Sequence, residues 1–224
     1  MKVAYFIDRL RISRRVMSLR RALGIRDPTA GVIFSRIYEN NLWGDSESRS
    51  GRGSTLARTA VIRAALPALL EGIGARSMLD AACGDFNWMA RVDLSGVRYV
   101  GIDIVPELVE RNRRLYGREG RDFIFADITR DQLPEVDVIL CRDCLIHHSL
   151  DDARSAVRNF RRSTSRYLLA TTHPHVRRNI DIQTGSWRSL NLRLPPFNFP
   201  PPARLLTEDA ESGKCLGLWD LNRL

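Results

Sequence analysis

MLDAACGDFNW, residues 78–88, joins an apolar run to a turn that holds an acid, a glycine and polar side chains. A short apolar run closed by a turn is the pattern of a strand buried on both faces. The rhythm recurs. SMLDAA (77–82), VRYVGID (97–103), RDFIFAD (121–127), VDVILC (136–141) and RYLLATT (166–172) read as five such strands. Helices fall between several of them. One opens at Pro106, a residue suited to the first helical position, with Leu108, Val109, Asn112 and Leu115 on overlapping faces. Another opens at Ser149, which forms a capping-box-like pair with Asp152. Ala153, Ala156, Val157 and Phe160 follow it at helical spacing. Strands and helices that alternate at this spacing predict a parallel sheet covered on both faces.

Upstream, STLARTAVIRAALPALLEG (54–72) predicts a helix capped by Ser54 or Thr55 and kinked or restarted at Pro67. It is preceded by the Gly- and Ser-rich loop NLWGDSESRSGRGS (41–54). Downstream, residues 173–202 break the pattern and hold five prolines between 195 and 202. About 30 residues far exceeds an ordinary connection, so the segment predicts a lid or an acceptor-binding insertion. ARLLTEDA (203–210) and KCLGLWDL (214–221) read as two last strands joined by the turn ESG. The expected organisation is a basic arm over 1–28, a helical cap with the Ser/Gly loop over 29–74, and one α/β domain over 75–224.

Composition narrows the classes. Of a net charge of +9, six units lie in residues 1–27, where eight basic residues face Asp8 and Asp27. The remainder is only mildly basic, which weakens a nucleic-acid reading for the body of the chain. Phe6, Leu10, Met17 and Leu23 would give the arm a rough apolar stripe. There is no apolar run long enough to span a bilayer and no signal-peptide form, so a cytoplasmic protein is expected. Four cysteines, Cys83, Cys141, Cys144 and Cys215, suit a reduced protein with buried thiols.

The first three strands end in or beside Asp80, Asp103 and Asp127. Alone, each could be a turn or cap residue. In series, at the carboxyl edge of a parallel sheet, they define a nucleoside site. The second acid suits the ribose hydroxyls and the third the adenine amine. A dinucleotide would require Gly-x-Gly-x-x-Gly after the first strand, but only Gly84 is present there, so a cofactor without phosphates fits better.

With these residues the sequence resembles the class I S-adenosylmethionine-dependent methyltransferases: MLDAACGD for their first motif, VGIDI for the second acid, FADI for the adenine side, and DVILCRDCLIHH after strand four. The resemblance covers roughly residues 75–172 plus the two last strands. It implies a Rossmann-like, seven-stranded, mostly parallel sheet and S-adenosyl-L-methionine as cofactor. The cofactor-binding set it implies is Asp80, Ala82, Cys83, Gly84, Asp103, Ile104, Asp127, Ile128 and Cys141, with Ser50, Gly51 and Ser54 closing over the methionine carboxylate. Ala82 and Phe86 stand where the family uses glycines. The loop 43–54 and the stretch LPPFNFP also resemble a group of bacterial methyltransferases whose acceptor is not assigned.

CRDCLIHHS (141–149) then lies where the methyl meets its acceptor. A lone Cys-x-x-Cys lacks the second pair that makes a zinc site, so no metal is expected. Neither cysteine follows a proline, against a cysteine nucleophile. Asp143 and His147 are the candidate bases. His173, Trp187, Phe197 and Phe199 are candidate acceptor contacts. The expected activity is O-methylation of a small molecule or glycan. The alternatives are an RNA or DNA methyltransferase using the basic arm, although strand four lacks an Asn/Asp-Pro-Pro-aromatic motif, or a cofactor-binding protein without catalysis.

Overall fold

The computed structural model describes residues 28–224. The basic arm and its apolar stripe lie outside the described residues, apart from Pro28. The elements in chain order are α1 (Ala30–Glu39), α2 (Ala60–Gly72), β1 (Ser77–Ala81), β2 (Arg98–Asp103), α3 (Pro106–Tyr116), β3 (Arg121–Phe125), β4 (Val138–Cys141), α4 (Leu150–Arg162), β5 (Tyr167–Thr172), β6 (Arg204–Asp209) and β7 (Lys214–Asp220). One seven-stranded sheet has the order β3-β2-β1-β4-β5-β7-β6. The first five strands run parallel, while β7 lies antiparallel between β5 and β6. This is the predicted Rossmann-like class I methyltransferase fold. Strand order reverses between β1 and β4, and the crevice outside their carboxyl ends is where ligands bind in such sheets.

Period-two alternation divides the strand side chains between two cores. Leu79, Ile139, Leu168 and Trp219 face Ala153, Ala156 and Phe160 of α4. Met78, Val138, Leu140 and Leu169 face Ile62, Leu66, Leu69 and Leu70 of α2. Ser149 caps α4, accepting the Asp152 N–H at 3.1 Å, as its sequence predicts.

The upstream helix departs from expectation. It starts at Ala60, because Ser54 belongs to a short turn over Arg52–Ser54 and Thr59 Oγ1 donates to the Thr55 carbonyl. No new turn starts at Pro67. Ile62 and Leu66 before it, and Leu69 and Leu70 after it, are all anchored on the sheet, and that burial carries one continuous helix past the missing N–H.

Residues 173–202 contain no helix or strand, yet they are packed. Leu190 and Leu192 are fully buried. His173 N–H donates to the Leu190 carbonyl at 2.8 Å, and Asn179 and Asn191 bind main-chain carbonyls across the segment. Arg188 is buried and donates to the His148 carbonyl at 2.7 Å. Gly185, at φ +93°, lies against α1, where a Cβ would collide with Ile33. The insertion is therefore fastened to both α1 and the segment after β4. No helix among the described residues is long and apolar enough to cross a membrane.

Candidate active site and cofactor pocket

A cavity of about 570 Å³ opens outside the carboxyl ends of β1 and β4. One half is lined by Asp80, Asp103 and Asp127, all buried, together with Ala82, Cys83, Gly84, Ile104 and Ile128. Asp103 accepts the Gly84 N–H at 3.0 Å on one oxygen and the Val105 N–H at 3.1 Å on the other, so the second acid shapes the turn after the first strand. Asp80 accepts the Tyr99 hydroxyl at 2.8 Å. Asp127 is engaged by Thr129 and lies 3.1 Å from Arg130.

Burial pushes the Asp80 carboxyl up to about 7, against the pull of Tyr99 and Arg142, and the Asp103 carboxyl up to about 6, against its backbone N–H partners. Two buried acids so placed favour a ligand that brings positive charge and hydroxyl donors. A sulfonium nucleoside has both, and the cavity size falls within the usual range for small ligands. The pocket therefore fits S-adenosylmethionine. Replacement of Asp103 by alanine is expected to weaken binding of S-adenosylhomocysteine by roughly 1.5–3 kcal/mol, measured by calorimetry. Unchanged affinity would move the ribose elsewhere.

The turn itself departs from glycine. Phe86 adopts φ +60°, a left-handed conformation that costs a side-chain residue about 1–2 kcal/mol. Its ring offsets that cost by packing at 5.0–5.2 Å against Tyr99, Tyr116 and Phe123.

The Ser/Gly loop is clamped on this turn. Ser48 Oγ and the Arg49 N–H each donate to Asp85 at 2.9 Å, and Asp85 N–H donates to Ser50 Oγ at 2.8 Å. Asn87 reaches Glu47 Oε1 at 2.8 Å and the Ser54 carbonyl at 3.1 Å. Ser50, Gly51 and Ser54 all line the cavity. The loop residues stood out in the sequence. Their partners Asp85 and Asn87 did not, although both lie inside the opening motif.

The second half of the cavity is built from the segment after β4. Arg142, almost wholly buried, donates to Glu208 through Nε at 2.8 Å and also through Nη2, and to the Gly53 carbonyl at 2.8 Å. It also lies over the Trp88 ring. Asp143, at φ +49°, sits 3.2 Å from Arg142 and 2.8 Å from Lys214 Nζ. Burial works to raise the Asp143 pKa, but Arg142 and Lys214 together outweigh it and hold the carboxyl below its usual range. Such a carboxylate is a weak base.

His147 differs. Its Nδ1 lies 2.8 Å from the Ser186 carbonyl, which can only accept, so Nδ1 carries the proton and Nε2 keeps a lone pair. Burial lowers its pKa despite Ser186 and Asp143, which favours the neutral ring. The imidazole packs at 5.0 Å against Trp43 and lines the cavity. His148 is buried, also lines the cavity and packs against Phe34.

His173 and Trp187 also line the cavity, Trp187 with 54% of its surface exposed. Three sequence expectations are corrected. Cys141 faces the α4-side core, because alternation along β4 turns it away from the crevice, and Cys144 lines the cavity instead. Phe197 and Phe199 do not reach the cavity. Phe199 is buried edge-on against Trp219, and both line a small groove beside α4. Lys214 and Glu208 were not anticipated. Each lies more than 60 positions from its partner, and no local pattern marks such a pair.

Comparison with known proteins agrees with this geometry. The family described as "Methyltransferase domain" matches residues 78–166. A search of curated protein sequences found no match. Among solved structures, the N-methyltransferase NodS from Bradyrhizobium japonicum WM9, in complex with S-adenosyl-L-homocysteine, is similar at 14% identity. The alignment covers 82% of this chain and 97% of that one, with a TM-score of 0.60. Magnesium protoporphyrin IX methyltransferase from Synechocystis PCC 6803, with bound S-adenosylmethionine, is similar at 14% identity over 87% and 98%, with a TM-score of 0.57. PigF with bound S-adenosylhomocysteine is similar at 17% identity over 90% and 64%, with a TM-score of 0.61. At these identities the likeness speaks for the fold. The match over residues 78–166 marks a methyltransferase domain there, on the fold of the class I S-adenosylmethionine-dependent methyltransferases, and the acid-lined pocket at the β1/β4 crevice fits that cofactor.

Proposed function

We propose that the enzyme O-methylates a small-molecule or glycan acceptor, with His147 as the base. The observation that carries this reading is the imidazole whose Nδ1 proton is held by the Ser186 carbonyl while Nε2 meets no partner among the described residues, on the wall of the cavity that also holds the three acids. When bound, S-adenosylmethionine supplies a methyl group on a positively charged sulfur. The residues of this chain supply alignment, exclusion of water and a destination for the proton. Were the methyl to pass from sulfur to the acceptor oxygen, with the bonding pair left on sulfur, His147 Nε2 would take the hydroxyl proton. Asp143, kept ionised by Arg142 and Lys214, faces the imidazolium that forms and stabilises it. The clamped Ser/Gly loop is proposed to close the methionine end through Ser50, Gly51 and Ser54.

The test is the position of the label. With methyl-labelled cofactor, the product should carry its methyl on oxygen, read from the carbon chemical shift. A methyl on nitrogen or sulfur would sink the reading. The pH profile is a second expected result. His147 must be neutral to act, and its pKa is lowered. Turnover should therefore be level through neutral pH and fall only in acid, with an inflection below the reference value near 6.5. An inflection above that value would point to another base.

A further inference from the structure

The cavity has two chemical faces. The acids at the ends of β1, β2 and β3 make one of them. The other is walled by α1, which crosses from the acid side to the insertion. A Cβ on Gly31 would lie 3.6 Å from the Ile104 side chain past β2, and Gly185 lies against Ile33. Phe34, Ile37 and Tyr38 share one face of α1 at helical spacing and line the cavity, and Leu42 and Trp43 follow. None of these five is charged. We infer that this face receives an aromatic ring, and that the acceptor is a phenol, its hydroxyl carried on a flat ring held against Trp43 beside His147. This rests on the O-methylation reading above.

Trp43 is the first support. Its ring centroid lies 5.0 Å from that of His147 and 6.4 Å from that of Phe34, and Phe34 lies 5.3 Å from His148. All four rings line the cavity. A Cβ on Gly51 would approach the Trp43 Cβ to 3.0 Å, so the Ser/Gly loop, clamped on the turn after β1, also backs this tryptophan. The indole therefore sits between that loop and the candidate base, where the two faces meet. Trp187 is the second. It follows Ser186, whose carbonyl holds His147, and it lines the cavity while 54% exposed. An indole so open contributes little to the core, and at the rim it offers a flat apolar face to an entering ring.

The chemistry of the base points the same way. Burial makes His147 a weaker base than an ordinary imidazole. A phenolic hydroxyl releases its proton with a pKa of roughly 10, as tyrosine does, whereas an alkyl hydroxyl resembles water at roughly 16. A weak base assists the first far more readily than the second. Were the methyl to reach the phenolic oxygen, an oxygen lone pair would form the new bond, the carbon–sulfur pair would stay on sulfur, and the proton would go to His147 Nε2. A cavity of about 570 Å³ must take cofactor and acceptor together, which limits the acceptor to a small molecule.

The experiment uses the full chain loaded with S-adenosylhomocysteine for saturation-transfer NMR, and with methyl-labelled S-adenosylmethionine for transfer. The probes are phenol, 4-methylphenol, 2-naphthol, aniline, cyclohexanol and methyl glucoside. The aryl hydroxyls should bind through their ring protons and be methylated on oxygen, with kcat/KM for phenol about 100-fold or more above that for cyclohexanol. Trp43→Leu should raise KM for 2-naphthol about 3- to 10-fold with cofactor affinity unchanged, and Trp43→Phe should recover most of the loss. If Trp43→Leu does not fold, Trp187→Ala, at an exposed position, should raise KM likewise. Cyclohexanol or the glucoside performing as well as the phenols, or an unchanged KM in the tryptophan variants, would overturn the inference and leave O-methylation standing. Methylation of the aniline nitrogen with none on the phenol oxygen would overturn O-methylation, and the inference with it. Aryl hydroxyls that fail to bind at millimolar concentration, or that bind without being methylated, would also overturn the inference.

Discussion

Arg142→Leu should destabilise the protein by about 3–5 kcal/mol, the usual cost of removing one partner from a buried ion pair. Glu208 is the reason. Its carboxylate side chain is wholly buried, and one of its oxygens, Oε2, has no partner among the described residues. Its other oxygen depends on Arg142 Nε and Nη2, with Lys214 farther away at 3.3 Å. Without the guanidinium, Glu208 becomes a largely unpaired buried charge, and the Gly53 carbonyl loses its donor. The denaturation midpoint would show this, as would a melting temperature lower by roughly 6–20 °C. The double variant Arg142→Leu with Glu208→Leu should recover much of the loss, because removing both charges is far cheaper than removing one. A double variant no better than the single one would mean that the arginine acts by packing over Trp88, not by pairing.

His147→Gln is the second large effect. It should lower kcat by about 10²–10⁴ and leave cofactor affinity unchanged. Glutamine can still meet the Ser186 carbonyl and fill the space beside Trp43, but it cannot take a proton. The acid limb of the pH profile should vanish in this variant. Asp143→Asn gives a different signature. Asp143 raises the His147 pKa, so its neutralisation should move the inflection to lower pH while some turnover remains. If His147→Gln retained near-native turnover with an unchanged pH profile, alignment alone would carry the reaction.

The parts of the molecule governed by local rules were legible in the sequence. The strands β1, β2, β4 and β5 were placed within two residues at either end, because each is an apolar run cut off by a turn. The three acids follow from where such strands must end. Pro106 and Ser149 marked their helices because their chemistry suits only a helix start. What escaped depends on distance. Arg142 with Glu208 and Asp143 with Lys214 are united by sheet order alone. Pro67 was read by its local penalty, which the burial of four neighbouring side chains overrides. Cys141 looked like a cavity residue by position, but one step along a strand reverses the face. Phe197 and Phe199 were read as acceptor contacts, whereas packing on Trp219 claims Phe199.

The insertion of β7 between β5 and β6 has a bearing on how the protein is made. While a chain emerges from the ribosome, β1 to β5 can pair in order, and the nucleoside acids can come together before the final hairpin exists. At that stage β5 still presents an open edge, a template for unwanted pairing. Arg142 would be a cation without Glu208, and Asp143 would lack Lys214. Both deficits end only when β6 and β7 arrive, since their residues lie 66 and 71 positions beyond the partners they neutralise. The growing chain can therefore bring the three acids together before it has the charge pairs around Asp143 and Glu208.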